Sequence, residues 1–438
     1  MQSQFLFVVY RLELFLEPAD LKFDVQIQEG DAVHSYKNSD PVPPIMSGSP
    51  PPPEMRPPML DWDRAPWNRW AFQHVREVVP TAAIRRAQTA SQWPEAAGSL
   101  VDFGYDGPDG TATTFGQMLD DTYTDAVLVW ADGKVQHESY HNGMDAQTLH
   151  LLQSVSKSLT SAAAGSLVAE GLLRPVALVS EYLPELATTG WRGATLQHVL
   201  DMTSGTRFSE TYTQPDSDVG KMDTAAGWKP APDGVDASDW PTCIWEQIVG
   251  LTVAEAAHGT RFAYRSIETD VLAHAMERVT GQRLPQILSQ RLWQPLGCAE
   301  DASITVDRSG YGLACGGISA SLRDMARFGL ALLHNGKVEG RQVIPEAWCQ
   351  DIRHGPHGLF NAESDRNWPK GRYRNQFWVE DSRLGRHYCF GVFGQMVMVA
   401  PDTGTMVVKL SSWPDFLDSR LSGLTMAGLR AVELAFAR

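Results

Sequence analysis

Cysteine is scarce and scattered in this chain. Five occur in 438 residues, at positions 243, 298, 315, 349 and 389. An odd number with no C-x-x-C pair argues against a disulfide framework and against a zinc ribbon. Reduced, mostly buried thiols in a cytoplasmic protein are the expectation. Positive charge is also in the minority, with 37 Lys and Arg against 52 Asp and Glu and a net charge of −15. Such a chain repels a phosphate backbone, so nucleic acid is not an expected partner. No apolar run approaches the ~20 residues that span a bilayer, so no membrane partner is expected either. Residues 5–10 are apolar, but Arg11 and Glu13 break the run. No basic stretch precedes it and no small-residue cleavage site follows, so it reads as structure or a frayed extension, not a signal peptide.

What is present is an ordinary globular composition. Hydrophobic residues make up 43% and charged residues 20%, enough to build a sizeable core. Leu21, Phe23, Val25 and Ile27 alternate with polar residues, as in a half-buried strand. Ten of the 27 prolines fall between Pro41 and Pro66, which marks an extended polyproline boundary. An aromatic stretch with Trp62, Trp67, Trp70 and Phe72 follows and suits docking on the main body. The divisions expected are an extension and linker over 1–60, a segment packing on the core over 61–120, and a main domain over 121–438. In that domain, residues 126–130 and 134–140 read as strands around an Asp132-Gly133 hairpin turn. A helix is expected from about Ser154 to near Gly171, and another over about 269–279, closed by Gly281. Helices and long loops fill 190–290. Two strands, 395–400 and 405–410, and a last helix over 419–436 finish the chain. Strands at both ends with helices between suggest one sheet built from distant segments.

His137-Glu138-Ser139-Tyr140-His141 matches the H-E-x-x-H zinc signature. That chemistry needs a helix, where positions four apart share a face. Here the motif lies on a strand, where four residues span ~13 Å. Surface strand histidines are the preferred reading, and no metal is expected.

Ser154-Val155-Ser156-Lys157 opens an alanine-rich helix. Positions three apart share a helix face, so Lys157 Nζ is expected near Ser154 Oγ. The helix start also offers a backbone N–H and a positive dipole end to an oxyanion. A serine hydroxyl becomes a nucleophile when a base takes its proton, and a desolvated lysine can help do so. The bland alternative is a capping serine with a solvent lysine. Ser156 and Ser158 are other candidates, but neither has a lysine three residues on. Tyr264, in Tyr264-Arg265-Ser266, has a free pKa near that of lysine. Side by side, each could help the other move the serine proton. A buried structural tyrosine is the alternative.

These residues resemble the serine beta-lactamase superfamily, specifically its class C-like esterases and amidases. That superfamily runs S-x-x-K, then Tyr-x-Asn or Tyr-x-Ser, then a K-T-G or H-x-G strand. Further segments agree: residues 197–205 with Met202-Thr203-Ser204-Gly205, the Pro295-Leu296-Gly297 turn, Gly316-Gly317, and Ser321 to Phe328. The resemblance covers about 120–438, and within the superfamily it is strongest to the 6-aminohexanoate-dimer (nylon-oligomer) hydrolases. Tyr212, before Pro215-Asp216-Ser217, is similar to the loop tyrosine that contacts the amide substrate in that group.

The resemblance implies an α+β fold: a mixed antiparallel sheet flanked by helices, with a mainly helical subdomain inserted at about 190–290. It implies acyl transfer on a small-molecule amide or ester without a cofactor. Ser154 would be the nucleophile, with Lys157 and Tyr264 moving protons. The Ser154 and Gln395 amides would form the oxyanion hole, and Tyr212, Ser266, Phe393 and Gly394 would contact substrate. Two departures stand out. Ser266 stands where true class C enzymes have asparagine. The third motif, Gly391-Val392-Phe393-Gly394-Gln395, has no lysine or histidine, and Lys409 on the following strand reads as structural. The rival readings are a carboxylesterase on the same scaffold, a non-catalytic binding module that has kept the cleft, and a metallohydrolase built on His137 and His141.

Overall fold

The computed structural model describes residues 45–355 and 370–437. The alternating stretch at 21–27 lies outside the described residues. Eleven strands position the site: β1 (Thr81–Ile84), β2 (Thr124–Ala131), β3 (Lys134–Tyr140), β4 (His150–Leu151), β5 (Ala302–Thr305), β6 (Ile318–Ala320), β7 (Arg372–Arg374), β8 (Phe377–Asp381), β9 (Arg386–Gly391), β10 (Gln395–Ala400) and β11 (Thr405–Ser411). Seven of them form one antiparallel sheet in the order β7-β8-β9-β10-β11-β2-β3. The Asp132-Gly133 turn adopts positive φ at both residues, 51° and 74°, which matches the twist of the hairpin it closes.

The central strands are buried on both faces, so they read as apolar runs. Ala126, Leu128, Val397, Val399 and Val408 face one core. Val127, Val129, Met396, Met398 and Val407, the alternate positions, face the other. The helices are α1 (Val155–Ala169), α2 (Leu196–Leu200), α3 (Ile267–Thr280), α4 (Leu322–Leu333) and α5 (Ser419–Phe436), with α3 packed on α1 and α2. Helices α1 and α4 lie on the first face, and α5 closes the second with Met426, Leu429 and Val432. Gly281 ends α3 at φ 66°, a left-handed cap that glycine adopts without a Cβ clash. The mainly helical insertion lies between β4 and β5.

The single sheet expected from the sequence is not what forms. A second sheet, β1-β5-β6-β4, is built from short strands far apart in the chain. Its strands have two to four residues, too short for a period-2 pattern to register. Strand β1 comes from residues before 120 and pairs with β5 from Thr81↔Thr305 to Ile84↔Ala302. The same N-terminal region buries Trp62 and Phe72. The Trp62 indole N–H donates to the Trp228 carbonyl at 2.9 Å. Arg69 meets Asp125 at 2.6 Å inside the main body, and His150 approaches the other carboxylate oxygen at 3.0 Å.

Among the described residues no helix is long and apolar enough to cross a membrane. No group of three or more His, Cys, Asp or Glu among them is placed to hold a metal ion. The histidines of the H-E-x-x-H match lie on and just after β3. Their side chains converge more than strand spacing alone implies, since each Nε2 stands 3.0 Å from Ser139 Oγ. Both ring nitrogens of His137 are in use, because Nδ1 accepts from the Leu100 amide. Burial pushes His137 down to about 4.

Candidate active site

Ser154 stands at the start of α1, after Gln153 in the left-handed region at φ 49°. Its side chain does not cap the helix. It accepts a 2.8 Å hydrogen bond from Lys157 Nζ instead. The Val155, Ser156 and Lys157 amides already donate to the Leu152, Gln153 and Ser154 carbonyls at 3.2, 3.0 and 3.1 Å, which leaves the Ser154 amide, at the positive end of the helix, to serve an oxyanion. The neighbouring serines are committed elsewhere: Ser156 Oγ accepts from the Ile318 amide at 3.2 Å, and Ser158 Oγ donates to the Gln376 carbonyl at 2.8 Å.

Lys157 is almost fully buried. Its ammonium donates three hydrogen bonds, to Ser154 Oγ, to Ser266 Oγ at 3.1 Å and to the Cys315 carbonyl at 2.8 Å. Tyr264 lies beside it, with Nζ 5.1 Å from the ring centre. The phenol is close enough to both Ser154 and Lys157 for each to favour its ionised form. Burial acts on Lys157 most strongly and pulls its pKa down, but Tyr264, Cys315 and Glu210 outweigh it, and the net direction is up. Burial pushes Tyr264 up, opposed by Lys157 and Ser154 and assisted by Glu210. Two coupled groups of this kind titrate as a pair.

The structure therefore brings Ser154, Lys157, Tyr264 and Ser266 together. It adds Glu210, which the sequence reading passed over. Glu210 Oε2 accepts from the Ser266 amide at 2.9 Å and Oε1 from the Ser266 hydroxyl at 2.5 Å. Oε1 also accepts from the Tyr212 hydroxyl at 2.7 Å. The signal was present as Glu-x-Tyr, since residues two apart on an extended segment share a side. Tyr212 rests against Phe416, with ring centres 5.4 Å apart.

A cleft of about 290 Å³ opens beside the nucleophile. Gln153, Tyr212, Val392, Phe393 and Phe416 line it, with Asp223 and Lys229 farther along. Lys229 pairs with Asp63 at 2.8 Å and reaches Asp223 at 3.9 Å. Charge in the cleft thus comes from the helix Asp218–Ala225, the loop after it and the N-terminal segment, not from the third motif.

That motif needs a correction. Gly394 was expected to admit substrate, yet a Cβ there would stand 2.3 Å from the Trp413 ring. Its φ of 88° and missing side chain serve packing against that ring. Gln395 is buried, pairs across the hairpin with Gly391, and its side-chain amide holds the Ser411 backbone at 2.6 and 3.1 Å. Gly391 is the residue that abuts the segment leading to the nucleophile, with the Leu152 carbonyl 2.6 Å from where a Cβ would be. Val392 follows it into the cleft. Phe393 has φ 61°, a strained value for an aromatic residue. It is held by its amide to the Phe416 carbonyl at 2.9 Å and by the Phe72 ring at 5.2 Å. Lys409 is fully buried, donates to the Thr122 carbonyl and Ser411, and is lowered to about 7 by burial. It lies outside the site.

The chain is similar to known proteins in sequence and in fold. The model of the Beta-lactamase family matches residues 112–425. The chain is 38% identical over 367 residues to the 6-aminohexanoate-dimer hydrolase of Paenarthrobacter ureafaciens, covering 82% of this chain and 89% of that one. A solved structure from Bacillus anthracis, assigned as a 6-aminohexanoate-dimer hydrolase, superposes with a TM-score of 0.78 at 26% identity, covering 86% of this chain and 97% of the other. A family VIII carboxylesterase superposes with a TM-score of 0.52 at 16% identity, over 72% of this chain and 95% of that one, a likeness of fold.

Proposed function

The chain belongs to the beta-lactamase family and is a serine hydrolase, and from that premise we propose that it cleaves small linear amides and esters through an acyl-enzyme on Ser154. The observation that carries the reading is the 2.8 Å contact between Lys157 Nζ and an uncapped Ser154 hydroxyl at a helix start. Ser154 attacks the carbonyl, and its proton passes to the Lys157–Tyr264 pair once that pair has lost a proton. The Ser154 amide and the backbone at Val392, beside Gly391, receive the oxyanion. The pair then protonates the leaving group, and water releases the acyl group. No cofactor enters these steps.

The linear amide is the preferred substrate class because of Tyr212 and the relatives. The named hydrolase at 38% identity acts on an aminohexanoate dimer, and Tyr212 stands at the cleft beside the nucleophile. Beta-lactams fit less well. Val392 and Phe393 offer no charge to their carboxylate, and Ser266 is shorter than asparagine and already bound to Glu210. Losing one charge-assisted contact and one hydrogen bond costs about 2–4 kcal/mol.

Hydrolysis of p-nitrophenyl esters, short linear amides and a chromogenic cephalosporin tests the reading, together with an acylating probe. Esters and amides should turn over, the cephalosporin poorly, and the probe should label Ser154. Ser154→Ala should abolish turnover and labelling with the fold intact. Labelling that maps to Ser156 or Ser158 would overturn the nucleophile, and efficient cephalosporin turnover the substrate class.

A further inference from the structure

Asp270 is a fully buried carboxylate that the acyl-transfer steps leave unused. It lies on α3 one turn after Ser266, and positions four apart share a helix face. Burial pushes its carboxyl up to about 6, against the pull of Tyr311, Cys315, the Ala314 amide and Lys157. Its Oδ1 accepts from the Tyr311 hydroxyl at 2.8 Å and from the Ala314 amide at 2.9 Å. Oδ2 has no hydrogen-bond partner. Both donors belong to the segment between β5 and β6. There the Leu313 amide and the Gly317 carbonyl are tied to Thr305 at 2.9 Å, and the Gly317 amide closes a turn on the Leu313 carbonyl at 2.9 Å. The residues inside that turn bond away from the sheet: the Ala314 amide to Asp270, and the Cys315 carbonyl to Lys157 Nζ at 2.8 Å. A carbonyl only accepts, and the Ser266 hydroxyl gives its own proton to Glu210. Each therefore takes one ammonium proton, and the third direction of Nζ points at Ser154 Oγ.

We propose that Asp270 is a positioning residue: by clamping Tyr311 and Ala314 it fixes the Cys315 carbonyl, which aims Lys157 at Ser154. The inference rests on the acyl-enzyme reading above. Helix α3 then addresses the lysine twice, directly through Ser266 and through the turn from Asp270. Without the clamp the Ala314 amide loses its acceptor, the carbonyl beside it shifts, and Nζ loses one of the bonds that orient it. That carbonyl also favours the ammonium over the neutral amine, so its departure makes the lysine easier to deprotonate. Loss of the clamp thus has two signatures of opposite sense, a slower reaction and an acid limb at lower pH. The other titratable groups that act on Lys157 are Tyr264, Glu210 and the Cys315 thiol, and none of them is altered by a change at Asp270 itself.

The test follows kcat and KM for p-nitrophenyl butyrate as a function of pH. Asp270→Asn keeps a carbonyl oxygen in the place of Oδ1, and its amide nitrogen falls where Oδ2 has no partner. Its kcat should stay within about threefold of wild type. Asp270→Ala removes the clamp and should lower kcat by roughly a hundredfold, the scale of an ångström's misplacement, with KM changed less than about twofold. Its acid limb should lie at lower pH than that of Asp270→Asn, which has lost the same charge. Tyr311→Phe removes one donor, leaves the charge, and should lower kcat by an intermediate factor; it carries the test if the alanine variant does not fold. An alanine variant with wild-type kcat, an acid limb shared by both Asp270 variants, an asparagine variant as slow as the alanine one, or a Tyr311→Phe enzyme with wild-type kcat overturns the clamp. In each of these cases the acylating probe still labels Ser154, so the acyl-enzyme reading stands. A wild type that the probe does not label overturns both.

Discussion

The site has two sides: a helix wall, the first turn of α1 with the nucleophile, and a loop wall that carries the cleft residues Tyr212, Val392 and Phe393 beside it. Ser154 and Lys157 sit on a single helix whose next residues are buried in the core. Their spacing is set by the helix itself. Val392, Phe393 and Tyr212 stand on short connections whose positions depend on distant chain. Asn68 Nδ2 donates to the Trp413 carbonyl at 2.7 Å, the Trp413 amide donates to the Phe393 carbonyl at 3.3 Å, and Phe72 packs on the Phe393 ring. The helix wall needs its own sequence to be right. The loop wall also needs the N-terminal segment, which is bonded to the main body through Arg69, Asp125 and Ser412.

Changes in the helix wall and in Tyr264, which lies against its Lys157, should therefore have the larger effects. Lys157→Ala and Tyr264→Phe should each lower ester turnover by roughly a thousandfold or more, and the double variant should be little worse than either. Near-additive losses would mean two independent groups and would break the picture of one proton-transfer unit.

The same pair gives the pH dependence. Both groups are shifted upward, and the attacking serine needs the pair short of one proton. The rate on an uncharged ester should therefore rise with pH and still be climbing above about pH 8, falling roughly tenfold per unit on the acid side. A plateau below about pH 7 would point to a histidine or carboxylate as the base.

Asn68→Ala probes the loop wall from outside the cleft, with the smallest expected effect. It leaves the buried Trp413 carbonyl without that donor, which costs about 1–3 kcal/mol of stability. Through Phe393 it should lower kcat by roughly tenfold, with KM changed less, if the Val392 backbone serves the transition state. Loss of stability with unchanged kcat would show that the loop wall holds its shape without the N-terminal segment.

The two walls also differed in how far they could be read in the sequence. The expected strands at 126–130 and 134–140, the hairpin between 395–400 and 405–410, and the helix ending at Gly281 all have local signals: apolar runs, a D-G turn, a glycine cap. The structure has them within a few residues. The Lys157–Ser154 contact followed from a helical period alone. The β1-β5-β6-β4 sheet did not, because its strands are too short to carry a pattern and pair only through the fold. The third motif was misjudged for a related reason. Both Gly391 and Gly394 permit close approach, and only the packing reveals that Trp413 fills the space at Gly394 while Leu152 and Gln153 abut Gly391.

What the sequence determined by itself was chemistry set by local geometry: a serine and a lysine one turn apart at a helix start, strands buried on both faces, and a tyrosine followed two residues later by serine. What only the tertiary structure decided was convergence. Tyr212, residues 60–64 of the N-terminal segment and Val392 and Phe393 meet at the cleft because sheets, helices and the N-terminal segment bury their apolar faces together. No local period encodes a contact between residues so far apart in the chain, since such contacts form only when the whole core closes.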